Sequence, residues 1–277
     1  MYSGTTLTRF SGRLFGAHQK VDRVAHAHLR SISGGAAGFP AKRAILHFEG
    51  KNGPDAIKRK SPAQDEPWHY YDPFDEDDSG LLELIEHHYY ELVRQLQSGN
   101  CEKAAFEAAW LAHAIADGLT PAHHFPYEQK LEELRGQAKE TRTTLRQKLL
   151  MPGSSPKHFV LNNWKMWGPK GLFTTHGLFE LGMTTIMAPL RLQEARPTQL
   201  DLDRLQVIGP LEWFKHTARR IALLKLYDRY YDRGWTRKLA SLVRKELAPE
   251  VVRTVTLFWY SALREAEVAL EPIKSES

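Results

Sequence analysis

Cysteine is almost absent from this sequence, with Cys101 as the only one in 277 residues. A single cysteine excludes a disulfide within the chain and fits a reducing compartment. Long apolar runs are lacking too, because no stretch approaches the roughly 20 residues of a transmembrane helix. Residues 1–16 contain no apolar core of signal-peptide length. We therefore expect a cytoplasmic protein without a transmembrane segment.

Alternation of apolar and polar residues with period two is also missing, which argues against β-strands. The hydrophobic fraction of 42% is ample for a packed core. No linker-like stretch divides the chain, so we predict an all-α fold, a single-domain multi-helix bundle spanning residues 1–277, with long irregular loops that carry metal ligands. The predicted helices are 15–32, 81–97, 102–116, 128–150, 176–187, 211–233 and 237–270, the last interrupted near Pro249.

Two stretches, residues 36–80 and 151–175, show no helical period and are rich in glycine and proline. Irregular stretches of this length inside a compact domain are usually functional or disordered, and their aromatic residues argue against disorder. Five aromatic residues in or near possible loops can belong to the core or line a substrate cleft: Tyr70, Tyr71, Phe125, Trp164 and Trp167. The basic residues of 51–60 can contact a substrate phosphate or be ordinary loop charge.

The net charge of +5 and the isoelectric point near 9.2 favour anionic partners. Phosphate esters, nucleic acid and lipid head groups belong to this class. A net charge of this size is also found in proteins where it only increases solubility. The positive sign therefore does not identify which of these partners binds.

The most informative stretch is residues 113–125, at the end of an apolar, alanine-rich helix. His113 and Asp117 are four residues apart and therefore project from one helix face. Gly118 and Pro121 break the helix. The chain can then double back and bring His123 or His124 to the same point. Such a set of nitrogen and oxygen ligands suits zinc.

Spacing alone carries little weight, because a histidine is followed four residues later by an acid five times in this chain. Most such pairs lie on solvated helix faces. The His113–Asp117 pair differs because its helix is apolar, and a charge buried there needs a partner or a metal.

Further histidines and acids stand in an ordered pattern around this pair. Asp55 and His69 precede it in the first irregular stretch, His176 and Glu180 follow it, and His18 lies near the start of the first helix. The pattern resembles the zinc-dependent phospholipase C family, which includes single-strand-specific fungal nucleases and the N-terminal domain of glycosylphosphatidylinositol-specific phospholipase D. That family is all-α, and its hallmark is His-x3-Asp-x5-His followed by His-x3-Glu or His-x3-Asp.

The resemblance implies a cluster of two or three Zn2+ ions. The first site would be formed by Asp55, His69, His113 and Asp117. The second would be formed by His123, His176 and Glu180. The third would use His18, with Asp117 as a bridging ligand. Such ions can deprotonate a water and neutralise charge on a phosphoryl group. Asp55 would be a ligand or the general base that orients the attacking water.

One departure concerns the third site, where secreted family members use the amino group of an N-terminal tryptophan. This chain begins Met1-Tyr2-Ser3, so we expect weak binding of a third zinc. The resemblance implies a phosphodiester substrate, with a phospholipid or related phosphate ester favoured over nucleic acid. The alternatives are a single-strand-specific nuclease of the same superfamily and a non-catalytic helical protein with a structural zinc.

Overall fold

The computed structural model describes residues 16–50, 52–57 and 62–270, and these residues form helices without a β-strand. The predicted all-α fold is confirmed. None of the described helices is long and apolar enough to cross a membrane. The helices are α1 Ala17–Ile32, α2 Lys42–Glu49, α3 Pro54–Ile57, α4 Gly80–Gln97, α5 Cys101–Gly118, α6 Tyr127–Arg135, α7 Leu145–Leu149, α8 Pro156–Trp167, α9 Leu172–Met187, α10 Gln199–Leu223, α11 Leu226–Arg233, α12 Arg237–Leu242 and α13 Ala248–Leu270.

Helix α5 is the centre of the fold and packs against α1, α2, α4 and α13. Asn100 caps its start, since the Asn100 side chain accepts a hydrogen bond of 3.1 Å from the Lys103 backbone N–H. Alanines on several sides of the helix let its neighbours approach closely. Gly118 ends the helix at a tight contact, where an added Cβ would lie 2.6 Å from the side chains of Leu81 and Phe214. Helix α5 therefore carries His113 and Asp117 into the interior.

The main hydrophobic core runs from α1 to α13. Trp259 of α13 is fully buried in it, and the Trp259 indole N–H donates to the Ala108 carbonyl of α5 at 3.1 Å. The predicted interruption near Pro249 takes the form of a π-helical turn, Val243–Leu247, in front of α13. The turn is a local adjustment beside a proline, which lacks a backbone donor.

The two stretches predicted to be irregular contain helices that the sequence analysis missed. Residues 36–80 include α2 and α3, and residues 151–175 include α8. Helix α2 has only eight residues and no side-chain cap at its start, so its local signal is weak. Helix α8 has a clearer one, because Ser155 caps it and Pro156 occupies its first turn. The prediction of loops without helices was therefore wrong in these parts.

Two predicted long helices are broken in the structure. The helix predicted for 128–150 ends at Gly136, which has a left-handed φ of +66°, and α7 begins anew at the capping box of Thr144 and Gln147. The helix predicted for 211–233 is divided at Lys225, where φ is +50°. Its predicted start follows a kink inside α10 at Gly209, where φ is +77°. In both cases backbone conformation at a single residue overrides a helical hydrophobic period.

Candidate metal centre

Asp117 lies at the centre of a buried cluster and faces four imidazole rings. Asp117 Oδ1 is 3.3 Å from Nε2 of His18 and 3.6 Å from Nδ1 of His123. Asp117 Oδ2 is 2.7 Å from Nδ1 of His69 and 3.2 Å from Nε2 of His113. All five side chains are buried. Four separate parts of the chain thus converge on one carboxylate.

Helices α1 and α5 bring His18 and His113 face to face. Their rings stack with centroids 4.0 Å apart and planes 9° from parallel. One ligand atom from each of His18, His113 and Asp117 lies within 4.8 Å of the others, so these three can hold one metal ion. The resemblance placed His18 in a separate third site, whereas the geometry groups it directly with His113.

A second group forms where α9 passes the end of α5. Glu180 Oε1 lies 2.9 Å from Nε2 of His123 and 3.3 Å from Nε2 of His176. The rings of His123 and His176 are stacked, with centroids 5.2 Å apart. These three residues form the second set that can hold a metal ion. Because Nδ1 of His123 faces Asp117, this ring joins the two groups.

The 3-10 turn Pro121–His124 decides which of the two adjacent histidines enters the cluster. The His123 N–H donates to the Thr120 carbonyl at 2.8 Å, and the His123 carbonyl accepts from the Tyr71 N–H at 3.1 Å. Nε2 of His124 instead lies 2.8 Å from the carbonyl of Gly118. His123 therefore faces both carboxylates, and His124 points back at the end of α5. The Tyr71 contact also fixes the loop that carries His69.

Asp55 lies on the short helix α3 at the edge of the cluster. Its Oδ1 is 3.8 Å from Nε2 of His113. The approach of α3 to the end of α2 requires glycine at position 53, because an added Cβ would be 2.3 Å from the carbonyl oxygen of Glu49. All eight residues predicted as ligands thus lie in or beside one cluster. The lysines and arginine of 51–60 and the segment 1–15 lie outside the described residues.

Glu49 is a residue of this cluster that the sequence analysis missed. It is fully buried at the end of α2, and its Oε1 lies 3.1 Å from Nδ1 of His113 and 3.9 Å from Nδ1 of His18. A carboxylate that accepts from the outer nitrogen of a histidine fixes the ring and makes its inner nitrogen a better ligand. The sequence signal for this helix was the spacing of Ile45 and Glu49, which lie four residues apart after Pro40. The prediction of an irregular stretch for residues 36–80 hid this signal.

Electrostatics favours positive charge at the centre of the cluster. Burial lowers the pKa of His113, but Glu49 and Asp117 outweigh burial and hold the pKa well above its usual value. Burial raises the pKa of Asp117, yet His123, His113 and His18 help to hold it well below the usual value. Burial lowers the pKa of His123 to about 4 against the opposing effect of Asp117. Asp117 is therefore ionised, and His123 is neutral, which is the form that binds metal.

Two buried histidine nitrogens that lack hydrogen bonds among the described residues also fit a zinc site. Nε2 of His113 and Nδ1 of His123 are buried beside Asp117 and form no hydrogen bond within the described part of the chain. A buried polar atom without a hydrogen bond costs about 1–3 kcal/mol. A divalent cation held between these nitrogens and the carboxylate would satisfy all of them, and imidazole with carboxylate is a common zinc ligand set.

The aromatic residues divide into two kinds. Tyr70 lies inside. Its ring stacks on that of Tyr127 with centroids 5.7 Å apart, and the centroids of the Tyr70 and His123 rings are 5.4 Å apart. Tyr71 packs in the main core against Phe214. Trp164 and Trp167 are exposed, so the core alternative is wrong for both.

Comparison with known proteins adds no assignment, since no family model, no curated protein and no solved structure matches this chain. The resemblance to the zinc-dependent phospholipase C family therefore stays a prediction based on the residues described above.

Proposed function

We propose that this protein is a zinc-dependent phosphodiester hydrolase that resembles phospholipase C. The observation that carries the proposal is the convergence on Asp117 of histidines from α1, α5, the His69 loop and the turn after α5. Histidine and carboxylate are the ligand types of catalytic zinc. A helical protein of this size has no structural need for so many ionisable groups in its interior, where each must be paired.

Each group has a proposed task. Asp117 and His123 join the two metal-binding sets, and Glu49 orients the ring of His113 through its outer nitrogen. Bound zinc would lower the pKa of a water and neutralise charge on the phosphoryl group. Asp55, at the edge of the cluster, serves as a further ligand or holds the proton of the attacking water at Oδ1.

We further propose a phospholipid or a related phosphate ester as the substrate. The sequence shows no regular basic stripe with interleaved aromatics of the kind that single-strand binders use. The single cysteine agrees with a reducing environment, and we retain the cytoplasm as the proposed location.

The decisive experiment is elemental analysis of zinc-reconstituted protein together with an activity assay. We expect at least two zinc equivalents, hydrolysis of a chromogenic phosphodiester, and loss of that activity with a chelator. Protein that stays free of zinc after reconstitution would rule out the proposal. Tight zinc without hydrolysis would favour the structural-zinc alternative, because structural sites are closed and catalytic sites keep an open position.

A second assay compares substrates under one set of conditions. Short-chain phosphatidylcholine and single-stranded DNA are offered to the same zinc-loaded protein, and we expect faster hydrolysis of the lipid. Faster cleavage of DNA would make the nuclease alternative the better description.

A further inference from the structure

Residues 141–179 are unlike the rest of the chain in charge. They contain six lysines and arginines and no aspartate or glutamate. Two of the six form ion pairs with acids outside this stretch, Arg142 with Glu128 and Lys148 with Glu66. The other four are exposed: Arg146, Lys157, Lys165 and Lys170. The surface formed by this stretch therefore has positive charge that no acid of its own offsets.

Helix α8 lies in this stretch and is apolar on its exposed side. Only Met166 of its twelve residues is buried. Val160 and Trp164 are 66% and 65% exposed, and Leu161 is exposed beside them. These positions follow helical spacing, so they form one stripe with Lys157 at its start. An amphipathic helix normally turns such a stripe toward the core.

Contacts join the α8 stripe to its two neighbours. The Trp167 indole N–H donates to the carbonyl of Leu149, the last residue of α7, at 2.8 Å. The rings of Trp167 and Phe173 of α9 lie 4.5 Å apart. We call the resulting surface the α8 face, and its exposed apolar residues are Leu149, Val160, Leu161, Trp164, Trp167 and Phe173. Monomeric proteins rarely expose such contiguous apolar surface without a binding role.

We propose that the α8 face docks on an anionic phospholipid bilayer. Tryptophan, phenylalanine and leucine beside lysine and arginine make up the composition of helices that lie in a membrane interface. Indole rings favour the level of the lipid head groups. Each basic side chain near an anionic leaflet strengthens the attraction. The aliphatic side chains Val160 and Leu161 gain from contact with acyl chains.

Charge and chemistry favour a lipid surface over two other occupants. A second copy of the chain would bring another α8 face, which has basic and no acidic residues, against the first, and like charges repel. Nucleic acid would pair with the lysines and stack its bases on Trp164, but its bases do not provide the aliphatic contact that Val160 and Leu161 gain from acyl chains. An anionic bilayer satisfies both kinds of side chain at once.

The inference deepens the proposed function, on which its consequence for catalysis rests. Helix α9 contributes Phe173 to the α8 face and also carries His176 and Glu180 of the second metal-binding set. Docking through the α8 face would hold the hydrolase at a surface made of its proposed substrate.

The test is sedimentation of the full-length, zinc-reconstituted protein with vesicles. One set contains phosphatidylcholine with phosphatidylglycerol, and the other contains phosphatidylcholine alone. We expect binding to the anionic set, weaker binding to the neutral set, and weaker binding at high salt. Val160→Asp with Trp164→Asp should lower partitioning by about tenfold or more, because burial of one large apolar side chain already contributes about that factor. Lys157→Glu, Lys165→Glu and Lys170→Glu together should remove the preference for anionic vesicles.

Matched controls separate the α8 face from general changes in surface charge and polarity. Val207→Asp changes an equally apolar side chain that is 84% exposed on α10. Lys238→Glu, Arg244→Glu and Lys245→Glu together change three exposed basic residues by the same charge. Both controls should bind anionic vesicles as the unchanged protein does, and circular dichroism should show that every variant is folded.

Three results would overturn the docking proposal. The first is absence of vesicle binding, or binding that the α8 variants do not alter. The second is a dimer that Trp164→Asp dissociates, with no vesicle binding, which would assign the α8 face to a second copy. The third is binding of single-stranded DNA that the lysine variant abolishes, again without vesicle binding. Vesicle binding needs no turnover, so failure of chromogenic diester hydrolysis alone would contradict only the proposed function.

Discussion

Two regions of this molecule reverse the usual distribution of polarity. Around Asp117 the interior holds imidazoles and carboxylates where a helical protein normally places apolar side chains. On α8 the surface carries Val160 and Trp164 where lysine or glutamate is normal. Both arrangements cost free energy in an isolated chain, since buried charge needs pairing and exposed apolar area orders water.

The difference between the two regions shows which partner each one suits. The inner cluster has its carboxylates and ring nitrogens within a few ångströms of each other, so a small cation satisfies it. The α8 face is exposed, with Val160 and Trp164 each about two-thirds accessible, so an extended surface satisfies it.

Asp117→Asn should have the largest effect, because Asp117 faces four histidines. We expect loss of at least one tight zinc equivalent, and diester hydrolysis reduced by well over about 10²-fold, since even outer residues of metal sites cost about 10–100-fold. Elemental analysis and kinetics measure both. The control is Asp203→Asn, an exposed aspartate on α10 away from the cluster. Two zinc equivalents in Asp117→Asn would contradict the assigned centre.

Asp55→Asn separates catalysis from metal binding. If Asp55 acts as the general base, we expect a loss of about 10²–10⁴-fold in rate with zinc content retained. Loss of one zinc equivalent together with the rate would make Asp55 a ligand instead. Asp65→Asn changes an exposed acid of the same loop region and should leave the rate unchanged. Full activity in Asp55→Asn would show that the α3 segment takes no part in the reaction.

Glu49→Gln tests the outer carboxylate of the cluster. We expect zinc affinity to fall by about 10–100-fold while the zinc stoichiometry at saturation is unchanged, because Glu49 acts on the outer nitrogen of His113. Zinc titration in a competing chelator measures this. Glu107→Gln is the control, since Glu107 pairs in the same way with His88, 2.6 Å from its Nδ1, outside the cluster. Equal zinc affinities in the two variants would remove Glu49 from the centre.

His18→Ala should have a smaller effect on metal content. We expect the zinc equivalent held by His18, His113 and Asp117 to bind more weakly in the variant, because one of its three protein ligands is lost. A zinc titration should show this weakening, whereas His26→Ala on the same helix should leave zinc binding unchanged. Zinc binding that stays equally tight in His18→Ala would refute this assignment.

Trp164→Asp should have the smallest effect on folding. The Trp164 side chain is largely exposed, so we expect the free energy of unfolding to change by no more than about 0.5 kcal/mol. Trp259→Ala, in the core, should cost about 3–5 kcal/mol. Denaturant unfolding of both variants measures the difference. If Trp164→Asp destabilised the fold as much as Trp259→Ala does, the α8 face would have to be treated as part of the core.

Sequence reasoning was most successful where local spacing fixes geometry. His113 and Asp117, and His176 and Glu180, each share a helix face because they are four residues apart. It was least successful at short elements: α2 has eight residues, and its missed assignment concealed Glu49. Breaks at Gly136 and Lys225 were also missed, because a helical hydrophobic period continues across a single residue with positive φ.

Residue spacing along the chain already implied the all-α class, the apolar helix α5 and the pairs of ionisable residues on its face and on α9. Long-range packing was needed to show that His123 rather than His124 turns inward, that Glu49 stands behind two histidines, and that the stripe of α8 points outward. Spacing along a helix specifies which side chains share a face. Which face meets another helix depends on packing between residues far apart in the chain, and no local pattern encodes it.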